Sequence, residues 1–475
     1  MSSLDIGILV IYLLIMLAVG VYFLTKNDEL DDYYVGGRSM GSLHIGLSVV
    51  ATDVGGGFSI GLGGLGFAMG ISGSWMLFTG LLGAWISAVI LIPKIKVLEN
   101  QKKLLTFPQI FDHFFGPKVA LIAAIITTLG YIGFTSSQLL AGAKLASATF
   151  DGLSLNAALI AMGVIAVVYT AIGGIKAVIY TDTVQWIILM AGLILVAIPC
   201  AHISLGGFEA LKTYLPSGHL SWTNLSWQQF FNWAITIIPI WFIGMTLYQR
   251  IYACADVKTA KRAWFFAGLL EFPIMALMGV LLGMYSRVAL ESGVFAELGY
   301  AAGSALDSEL GMPLLLKTVL PTGLIGLVLA AYFSAILSTA DSCLMAASGS
   351  FVSDIVKPSS TKGHLKFSQV ATLILGIVAL FLAGMFENVL SLMLYSYSFM
   401  VSGLLVPLMG ALFFKKTNPL AAGLSMIIGG VVTVSLSLLQ VGIPFGLDGN
   451  FFGILCAVIV FVTTTTFAGR THAST

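Results

Sequence analysis

Apolar residues run through this chain in blocks of about twenty, separated by short polar turns. A helix needs about 20 mostly apolar residues to cross the hydrocarbon core of a bilayer. Thirteen windows meet that need: 6–25, 43–66, 74–93, 119–148, 155–173, 180–203, 228–249, 263–286, 322–350, 366–386, 389–413, 418–440 and 450–469. They are spans 1 to 13 below. Lysine and arginine check the count, because they collect on the cytoplasmic side. With the N-terminus outside, 18 of the 22 basic residues fall in cytoplasmic segments, Arg250 among them. The outside keeps Lys212, Arg287 and Lys317, and Lys144 lies within span 4. One miscounted span would scramble that alternation. The two longest connections, 204–227 and 287–321, are then outer loops. The acids of the second (Glu291, Glu297, Asp307, Glu309) predict short amphipathic helices there.

Composition agrees with this pattern. The chain is 58% hydrophobic and only 9% charged, against about 25% charged in a soluble domain. One all-α polytopic membrane domain over 1–475 is expected. A net charge of +1 gives nucleic acid no electrostatic footing. Cys200, Cys254, Cys343 and Cys456 are too scattered for a metal site or a disulfide framework. Met1 to Asp5 carries no basic residue, so the first apolar run reads as a retained span rather than a signal peptide. Six histidines form no metal motif and no nucleophile–base constellation emerges, so the chain is not expected to be an enzyme.

Ionisable residues within a membrane are functional candidates by default. Here they are Asp53 in span 2, Lys144 in span 4, Asp182 in span 6, Glu271 in span 8 and Asp341 in span 9. Lys144 stands near the outer end of its span and is expected to snorkel to the interface. Glu271 is either a hydrogen-bonded link between packed helices or a functional group. Span 9 contains SAILSTADSC, 334–343. Residues three and four apart share a helix face, so Ala335, Ser338, Thr339 and Ser342 form one stripe with three hydroxyls. Such a stripe serves either helix packing or a hard cation, for which oxygen ligands are the rule. Asp182 is the candidate carboxylate for the second reading.

Two spans carry helix breakers. In ATDVGGGFSIGLGG, 51–64, three successive glycines (Gly55, Gly56, Gly57) cost a helix roughly 1 kcal/mol each relative to alanine. A break over 51–57 frees the carbonyls of Ala51 and Val54 for a cation. Gly61, Gly63 and Gly64 read instead as a close-packing face. Span 7 holds Pro239 and Gly244 near its middle. Spans 2 and 7 are five apart, an odd shift that gives them opposite orientations. Interrupted helices at matching positions of two halves point to an inverted repeat with a midplane site. The halves would be 43–203 and 228–413, preceded by 1–42 and followed by two trailing spans, 414–475.

The stretch AIGGIKAVIYTDTVQW, 171–186, resembles the signature of the sodium/solute symporter family. That family includes bacterial proline, pantothenate, sialic acid and sugar transporters and the sodium/glucose cotransporters. YYVGGRSMG (33–41), SVVATDVGGGFSIGLGG (48–64), QLLAGAKL (138–145), YQRIYACADVKTAKRA (248–263) and LSTADSCL (337–344) match it in order. The resemblance implies a leucine-transporter-like 5+5 inverted repeat with two broken helices, and sodium-coupled import of a small organic solute by alternating access.

It also implies residue roles. One sodium site would use the carbonyls of Ala51, Val54 and Ala335 with the hydroxyls of Ser338 and Thr339. Some members have a second, here Asp182, Asp341 and Ser342 with Ser338 and Thr339, so one or two Na+ are expected; Asp341 is either a ligand there or the partner of a basic group at the inner face. The solute cavity would lie between spans 2, 3, 4 and 7, lined by Asp53, Gly56, Gly57, Phe78, Gln138, Trp241 and Phe242. Trp241 or Phe242 is either an inner gate or a packed aromatic. The family's proline carriers are similar in having an acid where Asp53 stands, which implies an amino-acid-like or zwitterionic solute; they tend to have tryptophan where this chain has Gly57. The alternatives are a proton-coupled carrier on the same fold using Asp53 or Asp182, a sodium symporter of a sugar or organic acid, and a transport-derived sensor or channel. Expected partners are the solute, sodium ions and the lipid bilayer, without nucleic acid, the chain being a monomer or weak oligomer. The expected location is a bacterial inner (plasma) membrane, with the C-terminus cytoplasmic.

Overall fold

The computed structural model describes residues 2–24, 38–53, 55–173, 175–357, 364–414, 418–439 and 443–471. Backbone polar groups in lipid must bond within their own segment, and helices satisfy that. Helices are accordingly the regular elements here, with one isolated bridge between Met40 and Cys254. Among the described residues, each hydropathy window falls mainly on helix. Nine continuous helical stretches among the described residues are long and apolar enough to cross a membrane, and the bent pair Trp227–Ile243 and Met245–Ala253 makes a tenth. Ser3–Tyr12, Ser42–Thr52 and Leu155–Val168 are shorter apolar helices. The two long loops carry helices of their own, Gly207–Tyr214 in the first and Ser308–Val319 in the second. They lie at one end of the bundle, called the long-loop end below.

Burial sorts the spans into centre and periphery. Span 9, Leu324–Val356, has 89% of its apolar window buried and packs against spans 1, 4 and 6. Gly449–Phe467 of span 13 has 22% buried and presents its apolar side chains outwards, as a lipid-facing helix must.

Three spans are broken. Span 2 stops at Asp53 and resumes at Gly56, with Gly55 at φ −45°, ψ −162°. Span 7 bends by 42° at Gly244 (φ −65°, ψ 113°), while Pro239 stays inside the first helix. The third break was not expected: Phe272, at φ −131°, ψ 125°, interrupts span 8 directly after Glu271.

The halves of span 2 have separate neighbours. Ser42–Asp53 packs on spans 6 and 8, whereas Gly56–Met69 packs on the later half of span 8 and on Ser308–Val319. The second contact is a backbone crossing. A Cβ on Gly66 would collide with the Val280 carbonyl, and one on Gly283 with the Gly63 carbonyl. Small residues let membrane helices approach this closely, so the packing face extends beyond the glycines from which it was read.

Candidate functional site

Thr339 sits where the break in span 2 meets span 9. Its Oγ1 lies 3.1 Å from the carbonyl oxygen of Ala51 and 3.1 Å from that of Ala335. One hydroxyl therefore spans the end of a broken helix and the stripe on span 9. Gly55 makes the approach possible, because any side chain there would overlap the Thr339 side chain. Ser338, one residue back, donates to Asp182 of span 6. Four of the residues expected to form the first cation site, Ala51, Ala335, Ser338 and Thr339, are thus brought together by oxygen-bearing groups. Val54 lies outside the described residues, as do the Asp53 side chain and the surroundings of Gly56 and Gly57.

Beside them is a second cluster whose centre the sequence did not anticipate. Arg250 was placed in a cytoplasmic segment; its side chain is fully buried. Beyond the bend at Gly244, Met245–Ala253 runs between spans 2 and 9 and carries the guanidinium into the protein. Its Nη2 reaches Thr52 Oγ1 at 2.6 Å, Ser342 Oγ at 2.9 Å and Asp182 Oδ2 at 3.3 Å. Its Nε reaches Ser48 Oγ at 3.2 Å, and Nη1 the Thr246 carbonyl at 3.2 Å. A planar fork of five N–H donors can serve that many acceptors in one place, which an ammonium cannot. The span 7 window ended at Gln249, one residue short of Arg250. An arginine within the aromatic run LYQRIYAC was the available signal.

Asp341 departs from expectation. Grouped with Asp182 and Ser342, it instead accepts from Thr170 of span 5, and its Oδ2 has no hydrogen bond. Position 341 is three residues from Ser338 but one from Ser342, and the turn of about 100° between 341 and 342 sends its carboxylate towards span 5. Lys144 departs as well. Rather than snorkelling, it is buried and paired with Glu309 at 2.7 Å and Asp307 at 2.5 Å. Both acids come from the helix of the second long loop, which covers the lysine more closely than an interface would. Glu309 also accepts from the backbone N–H groups of Val389 and Leu390, both at 2.9 Å, and so caps span 11.

The solute candidates scatter somewhat. Gln138 is fully buried in span 4. Phe78 packs edge-on against Trp75 and Phe272, with centroids 5.2 and 5.3 Å apart. Trp241 is fully buried between Gly83 of span 3 and Trp264 of span 8, so it does not face lipid. Phe242 is buried, and its carbonyl accepts from the Tyr248 hydroxyl at 2.7 Å. Glu271 is fully buried and crowds Gly80 of span 3 near Ile237 of span 7. At the end opposite the long loops, Glu99 pairs with Lys96 at 2.6 Å and with Arg38, ahead of span 2.

An all-α bundle with broken helices and an oxygen-rich junction at the break has the architecture of a leucine-transporter-like secondary carrier. The comparisons with known proteins make that specific. The model of the sodium:solute symporter family matches residues 33–429, and the chain belongs to that family. It is 27% identical to sodium/glucose cotransporter 1 of Oryctolagus cuniculus, covering 91% of this chain and 72% of that one. Identity to the sodium/pantothenate symporter of Haemophilus influenzae is also 27%, over 89% of this chain and 88% of the other. A solved Na+-coupled sialic acid symporter, in a substrate-bound outward-open state, superposes with a TM-score of 0.80 at 22% identity, covering 98% of both chains. This chain is therefore a multi-pass membrane transporter that couples movement of a small solute to sodium, and not an enzyme.

Proposed function

We propose that this symporter imports a small solute bearing a cationic nitrogen, an amino acid or related zwitterion, with one Na+ held at the break of span 2. The observation that carries the ion site is the Thr339 hydroxyl between the carbonyls of Ala51 and Ala335. The ion would replace that hydroxyl's hydrogen bonds, taking the oxygens of Ala51, Val54, Ala335, Ser338 and Thr339 as ligands. Five neutral oxygens suit an alkali cation, a hard ion that prefers oxygen. A second ion at Asp182 and Ser342 would have to displace Arg250, which already neutralises the carboxylate. One ion is therefore the reading adopted, and Asp341 has no ligand role in it.

One acid supports the solute class. Asp53 ends the first half of span 2. A carboxylate at membrane depth needs a positive partner, and a cationic nitrogen on the solute would supply one. Gln138, Phe78, Trp241, Phe242 and the backbone at Gly56 and Gly57 complete the proposed lining. The long-loop end is read as the outside of a bacterial inner membrane, the chain acting as a monomer or weak oligomer with the halves 43–203 and 228–413 rocking about the site.

Proteoliposomes test this. Uptake of labelled L-proline, glycine betaine, D-glucose and pantothenate is measured with an inward Na+ gradient, with a pH gradient alone, and with neither. Sodium-dependent uptake confined to the nitrogen cations, with a Hill coefficient for Na+ near one, is expected. Uptake driven by the pH gradient alone overturns the ion assignment. Uptake of glucose or pantothenate in preference overturns the solute class.

A further inference from the structure

A second cavity, remote from the break in span 2, lies at the long-loop end between spans 11 and 12 and the start of span 13. Its volume is about 350 Å³. That is near the lower end of small-molecule sites, about 300 Å³, and far more than a bare ion fills. Its polar lining comes from Ser391, Tyr395, Ser398, Ser437, Asp448 and Asn450, and the remaining walls are largely aliphatic. No lysine, arginine or histidine is among the described residues that line it.

The polar groups are held in place from behind. Asn232 Nδ2 donates to Asp448 Oδ1 at 3.1 Å, and the Asp448 backbone N–H returns to Asn232 Oδ1 at 3.0 Å. Asn450, only 1% exposed, donates its Nδ2 to Thr236 Oγ1 at 2.6 Å. Both anchors are on span 7, four residues apart and so on one face. With its amide committed to Thr236, Asn450 leaves Oδ1 buried without a hydrogen bond. A buried acceptor left unmade costs about 1–3 kcal/mol, and such an atom in a native protein calls for a partner. Ser437 has likewise spent its one hydrogen on the Thr433 carbonyl at 2.9 Å, so it presents only lone pairs. With the second oxygen of Asp448, three oxygens at the cavity have no hydrogen to give, beside the hydroxyls of Ser391, Tyr395 and Ser398; the lining carries one carboxylate and no cation among the described residues.

We propose that this cavity binds a primary ammonium group on a small organic molecule. Its three N–H donors suit a lining rich in acceptor oxygens, the charge answers Asp448, and the aliphatic walls receive the carbon chain. A free amine in the medium and the ethanolamine headgroup of a membrane lipid present the same chemistry. The occupant would brace Trp227–Ile243, the helix that bends at Gly244, against span 11. This site is separate from the solute site proposed above.

The full-length protein in detergent tests the assignment by thermal unfolding with ethanolamine hydrochloride, tetramethylammonium chloride or glycerol, each without sodium. Ethanolamine is expected to raise Tm saturably. Tetramethylammonium, which has no N–H, and glycerol, which has no charge, are expected to do nothing. Asp448→Asn should weaken the ethanolamine effect at least tenfold. Ser437→Leu, which fills the cavity without touching the Asn232 pair, should abolish it and leave basal Tm within a few degrees. Native mass spectrometry from nanodiscs containing both phosphatidylcholine and phosphatidylethanolamine separates the sources: selective retention of phosphatidylethanolamine by wild type, lost in Ser437→Leu, identifies the lipid headgroup. Free-ethanolamine stabilisation without that retention identifies a soluble amine. An ethanolamine shift that survives both substitutions, equal shifts with tetramethylammonium, or neither stabilisation nor lipid retention in wild type overturns the proposal.

Discussion

Two buried cations stand apart in this bundle, Arg250 beside the break in span 2 and Lys144 at the long-loop end, and they are held differently. Arg250 shares one carboxylate with three hydroxyls and a carbonyl, contributed by spans 2, 6, 7 and 9. Lys144 faces two carboxylates from one surface helix, and the Asp307 side chain is 38% exposed. The arginine cluster is electrically balanced and sealed. The lysine cluster carries an excess negative charge and touches solvent. Burial in low dielectric makes an uncompensated charge costly, so the two clusters should fail differently. Four spans meet at the arginine, two of them lining the proposed ion site. The lysine instead fastens a surface helix and the start of span 11.

Removing Arg250 should have the largest effect. Breaking a buried pair by deleting one partner costs about 3–5 kcal/mol, so Arg250→Met is expected to lower Tm sharply and abolish sodium-driven uptake. Arg250→Met with Asp182→Asn should recover much of the Tm, because neither charge is then stranded. Wild-type Tm in the single variant would mean that the pair does not hold these spans together. Lys144→Met should cost less, about 1–3 kcal/mol, since Glu309 keeps the N–H groups of Val389 and Leu390. Exposed charges are screened by salt, so raising ionic strength should narrow the gap between Lys144→Met and wild type and leave that of Arg250→Met unchanged. Salt sensitivity at the arginine cluster would reverse the comparison.

Thr339→Ala probes what the arginine cluster is for. Loss of one ligand oxygen, about 1.4 kcal/mol or tenfold, should raise the sodium concentration needed for half-maximal stabilisation with little change in sodium-free Tm. An unchanged sodium midpoint removes Thr339 from the ion site. The smallest effect belongs to the long-loop end. His219 is buried, its Nε2 lies 3.2 Å from the Phe67 carbonyl, and its backbone carbonyl accepts from Ile71 at 2.8 Å. Burial lowers its pKa below the usual 6.5, because it penalises the charged imidazolium. The unfolded chain then binds a proton before the folded one does. That contribution to stability is complete above pH 6.5 and is lost as pH falls through the lower folded value. Hydrogen-exchange protection of 215–226, corrected for the intrinsic pH dependence of amide exchange, should fall between about pH 7 and pH 5 in wild type. The same fall in His219→Gln would exclude the imidazole as its cause.

Much of this was legible because it is local. Apolar windows of bilayer length must become helices, since lipid offers the backbone no other partner. Gly55 to Gly57 had to weaken span 2, and Ala335, Ser338 and Thr339 had to share a face by helical period alone. The failures are equally instructive. Asp341 is one residue from Ser342, and only the rotation of span 9 decides that it meets Thr170 instead. Lys144 looked like an interfacial lysine because nothing local says that Glu309, 165 positions later, returns to cover it. Phe272 breaks span 8 directly before Pro273, a local breaker that the apolar window passed over.

By itself the sequence determined the all-helical character, the breaks in spans 2 and 7, the hydroxyl stripe and, through its motifs, the sodium:solute symporter family. Each depends on residues within a few turns of one another, where 3.6-residue periodicity and bilayer thickness leave little choice. Only the tertiary structure decided that Arg250 turns inward, that Lys144 is roofed by an acidic helix, and that Asn450 is left with an unmet acceptor beside a cavity. Those outcomes depend on which helices meet and how each is rotated. Packing across the whole bundle sets both, and no pattern along the chain records them.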